Sequence, residues 1–247
     1  MKPHLGQTRT HIGVRHALIA PDGHVKSNVP GITGTATIVL ISEALGAKFA
    51  QVLVTFEKDG RVELPANDVE TAGYFETGGG WLVIGREKQR CLAGSFFFAP
   101  AGQSWSITSA LLGTRVTLFH KKYAPLAGVP APKGVIGNAA AIKGEPYLGD
   151  PKATLKVLLP DNPSFDLALN IFTYQPKATL PFVATHSMEQ GLLMLSGEGI
   201  YQLENDRHAV QKGDVIWMAP YCPQWFIAKG KVAASYLRYQ SVNRAAL

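Results

Sequence analysis

Three polar side chains between positions 184 and 225 have chemistry to offer: His186, Gln190 and Gln224. An imidazole is an ordinary transition-metal ligand and, with a pKa near neutrality, also a general base or a hydrogen-bond donor to a ligand. The two glutamines bring neutral amides, which are weak donors to a divalent cation and add no charge. On a strand, side chains alternate between faces, so Ala184, His186 and Gln190 share a face while Glu189, the nearest carboxylate, points away from it. A lone histidine in a strand-rich interior is equally well satisfied by hydrogen bonding, and both roles stay open for His186.

These residues must be positioned by strands. Short apolar runs at 37–41, 49–56, 81–85, 114–119, 155–159, 167–174, 191–195, 215–218 and 233–239 are separated by clusters of Gly, Pro, Asn and Asp, the pattern of a β-sandwich or barrel. An internal repeat sharpens this. The segments 73–105 and 191–225 share landmarks: Gly78 to Gly94 and Gly197 to Gly213 span the same interval, and each copy then reaches Ala-Pro followed by a Trp at the same distance, Pro100/Trp105 and Pro220/Trp225. Gly197 and Gly199 are expected in a hairpin turn at positive φ, and Gly213 at the turn before the next strand. The chain therefore reads as two copies of a β-barrel module, 1–124 and 152–247. They are joined by the Gly-, Pro- and Ala-rich segment 125–151, which has no strand period.

Composition excludes several classes. A chain of 247 residues, 46% hydrophobic, has the makings of a folded core rather than of disorder. The net charge of +6 is not clustered beyond Lys121-Lys122, so it reads as a solvated surface and no nucleic-acid partner is expected. Cys91 and Cys222 lack metal or redox spacing and read as free thiols. No stretch approaches the about 18 apolar residues that a membrane helix needs, and the N-terminus lacks an apolar signal core, so a cytoplasmic location is expected.

The segments HALIAPDGHV, KKYAPLAG, FDLALNIFTYQP, GLLMLSGEGIYQL, GDVIWMAPYCPQW and YLRYQSVNR together resemble the bicupin family of (S)-ureidoglycine aminohydrolases, also called glyoxylate-induced proteins, over nearly the whole chain. The resemblance implies an all-β fold of two tandem cupin (jelly-roll) barrels. It also implies a Mn²⁺ site of Glu, His, His and Gln in the second barrel, which releases ammonia from ureidoglycine in purine (allantoin) catabolism. Carried onto this sequence, those ligands fall on Ala184, His186, Gln190 and Gln224, so the metal set His186, Gln190 and Gln224 is incomplete and weak Mn²⁺ binding is expected. By the same resemblance Tyr201 and Tyr236 face the substrate, Phe172 replaces a pocket Met, and Gln240 replaces a Lys that pairs with the substrate carboxylate. In the first barrel the repeat places Pro65, Asn67, Thr71 and Ser104 at the ligand positions, none of them a competent metal ligand. Two functions follow: a hydrolase acting on a small ureido or amino-acid substrate through a degenerate metal site, or a non-catalytic bicupin that binds such a molecule. A homo-oligomer is expected, because open sheet edges need covering.

Overall fold

The computed structural model describes residues 6–108 and 110–244. Among these the chain forms twenty strands and three short 3-10 turns, with no α-helix, and no helix is long and apolar enough to cross a membrane. The early strands are β1 (His11–Ile12), β2 (His16–Ile19), β3 (Ile32–Ile41), β4 (Ala50–Leu64), β5 (Val69–Thr77), β6 (Gly79–Ile84) and β7 (Glu87–Leu92). They are followed by β8 (Ser95–Ala99), β9 (Trp105–Thr108), β10 (Arg115–Lys122), β11 (Val135–Asn138), β12 (Glu145–Tyr147) and β13 (Asp150–Val157). The remainder are β14 (Leu167–Tyr174), β15 (Gln190–Ser196), β16 (Glu198–Leu203), β17 (Asp206–Gln211), β18 (Val215–Met218), β19 (Gln224–Ala228) and β20 (Ala234–Ser241).

The expected repeat is visible in the pairing. In the first copy β5 lies between β8 and β10, and β6 lies between β7 and β9. In the second, β15 lies between β18 and β20, and β16 lies between β17 and β19. The landmark glycines sit at matching corners. Gly78 and Gly197 have φ of 74° and 69°, and Gly94 and Gly213 have φ of 83° and 92°, a region that side chains strain to enter. Gly199 departs from expectation. It lies inside β16 and owes its identity to a close approach, since a Cβ there would come within 2.5 Å of the Ile227 carbonyl oxygen and the Phe226 ring.

Each copy encloses its own core. One cluster gathers Val54, Phe56, Phe75, Leu82, Phe97, Trp105, Ile107 and Leu118; the other gathers Phe172, Tyr174, Leu192, Met194, Tyr201, Met218, Phe226 and Tyr236. The compact units are not the contiguous segments 1–124 and 152–247. Among the described residues, one comprises 25–143 and 158–168; the other comprises 6–24, 144–157 and 169–244. The cause is long-range pairing. β2 joins the second copy beside β18, with Ala17 opposite Trp217 and His16 opposite Met218. The segment 125–151 is likewise no plain linker, because β11 pairs with β8 and β12 pairs with β13.

Candidate functional site

The interior of the second barrel is built on the β15/β20 pair. Its register sets Gln190 opposite Gln240, Leu192 opposite Arg238 and Met194 opposite Tyr236. Directly opposed residues of an antiparallel pair project from the same face. Leu192, Met194 and Tyr236 lie in the core cluster, so Gln190, Gln240 and Arg238 share that inward face. Ala184 joins them by another route: it forms a bridge to Gln224, each amide donating to the other's carbonyl at 2.8 Å, which sets the Ala184 methyl beside the Gln224 side chain.

The glutamines are tied together. The Tyr201 hydroxyl donates to Gln224 Oε1 at 2.7 Å, and Gln224 Nε2 donates to Gln190 Oε1 at 3.2 Å, all three side chains being buried. Both amide oxygens that could face a cation are therefore already acceptors in a neutral chain of hydrogen bonds. Glu189 is directed elsewhere, its Oε1 accepting from the Trp217 indole at 2.8 Å. One imidazole and two engaged amides, with a methyl at the fourth position, do not fit a manganese ion, which needs charged oxygen or further imidazole donors.

His186 lies in the segment between β14 and β15, its carbonyl accepting from Tyr221 N at 2.6 Å. Burial, and then the positive field of Arg238, hold its imidazole below the ordinary histidine pKa. It is a neutral base at pH 7. The same Arg238 field reaches buried phenols: the Tyr174 and Tyr236 hydroxyls lie 3.4 Å apart, and burial pushes Tyr174, Tyr201 and Tyr236 far above the usual tyrosine value. Such groups hydrogen-bond to a ligand but do not ionise near neutrality. Phe172 stacks on Tyr236 with ring centroids 5.3 Å apart.

Arg238 was not singled out from sequence, although it shares strand parity with Tyr236 and Gln240. Its guanidinium carbon lies 4.5 Å from the Phe172 centroid, and its charge acts on His186, Tyr174, Tyr201 and Tyr236. Its buried Nε has no hydrogen-bond partner, and among the described residues it makes no ion pair. A partly buried cation without a counter-ion is costly, and the cost is relieved when an anion binds. Gln240 has no charge, so in this barrel the cation lies one inward position along β20.

In the first barrel Thr71 Oγ1 meets His120 Nδ1 at 2.9 Å, and Asn67 Oδ1 caps the Val69 amide. Burial lowers the His120 pKa to about 4. The two cysteines are buried and unbridged, and burial pushes each thiol up to about 11, so both are inert near neutrality.

A double-barrelled, strand-only chain with its polar side chains converging inside the second barrel defines a cupin, and the cupin-domain family matches residues 170–238. The chain is 34% identical to the probable (S)-ureidoglycine aminohydrolase of Oryza sativa subsp. japonica over 244 residues, 97% of this chain and 77% of the rice protein. It is 33% identical to the (S)-ureidoglycine aminohydrolase of Arabidopsis thaliana, over 97% of this chain and 80% of that one. Among solved structures, the putative glyoxylate-induced protein of Pseudomonas aeruginosa superposes with a TM-score of 0.89 at 25% identity, covering 99% of this chain and 94% of that one. The chain belongs to the (S)-ureidoglycine aminohydrolase family.

Proposed function

We propose that the second barrel binds a small molecule carrying a carboxylate and a ureido or amino group, and does so without a metal at the cupin position. The carrying observation is Arg238, an inward guanidinium with no anionic partner, beside a neutral imidazole and buried phenols. A guanidinium presents two parallel N–H groups to a carboxylate and is the side chain best suited to hold one in a fixed orientation. Tyr236, Tyr174, Gln240 and His186 then offer donors and acceptors for the ureido and amino groups, and Phe172 supplies an apolar floor. The relatives are named for (S)-ureidoglycine, which carries all three groups, and this supports the ligand class.

A second reading is favoured by the imidazole. His186, neutral at pH 7, can take a proton from a water that adds to the amino-bearing carbon of a bound ureidoglycine and return it to the departing amine. The C–N bond is thereby replaced by C–O, and ammonia is slowly released without metal. Calorimetric titration of the chelator-treated full chain with N-carbamoylglycine, a stable ureido carboxylate, tests the binding; one molecule bound per chain is expected. Absence of binding, or binding only after Mn²⁺ is added, overturns the proposal. Ammonia release from ureidoglycine by the same preparation, lost in His186→Gln, would establish the second reading.

A further inference from the structure

Away from the barrel interior, at one edge of the same unit, four metal-competent side chains converge that no family motif accounts for. They come from β1 (His11), β2 (His16) and β17 (Asp206 and His208), and one ligand atom from each lies within 4.8 Å of all the others. The three imidazole rings have centroid separations of 5.0 to 5.6 Å. Asp206 Oδ2 stands 3.4 Å from His16 Nε2 and 3.6 Å from His11 Nε2. We propose that His11, His16, Asp206 and His208 form a binding site for a zinc-type divalent cation.

The chemistry of the donors supports this. Imidazole and carboxylate are both ordinary zinc ligands, and three of the one with one of the other fill all four corners of the tetrahedron that zinc prefers. With metal–ligand bonds of about 2.1 Å, the corners of such a tetrahedron lie about 3.4 Å apart, so loading from separations of up to 4.8 Å requires a contraction of at most about 1.4 Å at the widest pair.

His16 is prepared for the role. Only 1% exposed, it directs Nδ1 to Glu204 Oε2 at 3.2 Å, and Glu204 is itself fixed by Arg15 Nε at 2.7 Å. A carboxylate holding the Nδ1 proton leaves the Nε2 lone pair facing the cluster, the arrangement found behind metal-bound histidines. That Nε2 is buried with Asp206 Oδ2 near it but outside hydrogen-bonding geometry, and His208 Nε2 is buried without a hydrogen bond. Buried imidazole nitrogens rarely go unpaired, and a shared cation satisfies both. His11 and Asp206 are each about half exposed, which leaves an entry path.

The site would fasten the N-terminal β1/β2 hairpin to β17, two elements that share no backbone pairing. Its role is therefore structural, and it is independent of the proposed ligand site.

The test is titration of the chelator-stripped full chain with Zn²⁺ in competition with a chromophoric chelator, alongside Co²⁺ as a spectroscopic substitute. One equivalent of Zn²⁺ per chain, the intense visible bands of tetrahedral Co²⁺, and a rise in melting temperature with Zn²⁺ are expected. His11→Ala, an exposed position on a two-residue strand whose loss leaves the fold intact, and His208→Ala should each weaken Zn²⁺ binding by at least about 100-fold. Glu204→Gln should weaken it about 10- to 100-fold, as for outer partners of ligating histidines. No bound equivalent, an octahedral Co²⁺ spectrum, or an equivalent that survives His11→Ala but disappears in His186→Ala overturns the proposal.

Discussion

At the scale of single residues, the inner polar groups of the second barrel are the neutral Tyr201–Gln224–Gln190 chain and the fixed positive charge of Arg238, where the family resemblance implies a charged metal set. Hydrogen bonds to a charged group contribute about 1.5–3 kcal/mol, so Arg238→Ala should weaken N-carbamoylglycine binding roughly 10- to 100-fold by calorimetry, whereas Arg238→Lys should recover part of the loss. The reverse exchange is also testable. Ala184 lies beside Gln224 and Gln190 faces them both, so Ala184→Glu combined with Gln190→His should create Mn²⁺ binding at the cupin position, read by paramagnetic resonance. The absence of a new Mn²⁺ signal in that double variant would show that the backbone, and not the ligand set, forbids the metal. The residues that meet inside the barrel, Gln190 and Gln224 with Ala184 beside them, lie at the positions that spacing and the resemblance named together. Arg238 escaped notice because it follows no motif; strand parity was its only signal.

At the scale of elements, the two copies use the same strand order with different interiors. Where the repeat places ligand positions in the first barrel, Thr71 meets the buried, neutral His120. With a folded pKa of about 4 against 6.5 in the unfolded chain, His120 is neutral in both states at pH 7 and contributes no pH dependence there. As pH falls below 6.5 the unfolded chain takes up the proton first, so stability declines between about pH 6.5 and 4, by about 3 kcal/mol in the limit. Denaturant melts across this window should show a shallower decline for His120→Gln than for the native chain; equal slopes would contradict the assignment. Strand runs and glycine corners were legible because periodicity and positive φ are local properties. Gly199 was misassigned to a turn because close packing against Phe226 is not local. The strands within 125–151 were missed for a related reason: a short, Gly- and Ala-rich segment becomes β11 only through its partner β8.

At the scale of the whole molecule, residues 6–24 belong with the C-terminal copy, a pairing across some two hundred positions that no sequence pattern announces. Two features fasten them besides β2. Arg9 forms a bidentate pair with the fully buried Asp214, at 2.7 and 2.6 Å, and the histidine cluster reaches from the β1/β2 hairpin to β17. Arg9→Ala would strand a buried carboxylate and should cost about 3 kcal/mol, measured as a lowered denaturation midpoint. A consequence for metal analysis follows: zinc found in the purified protein would report on His11, His16, Asp206 and His208 and not on the cupin position.

The most direct test of the central claim is the heat of N-carbamoylglycine binding to the chelator-treated full chain, measured before and after addition of Mn²⁺. Metal-free binding of one molecule per chain, unchanged by Mn²⁺, is the predicted result; no heat until Mn²⁺ is supplied would contradict it.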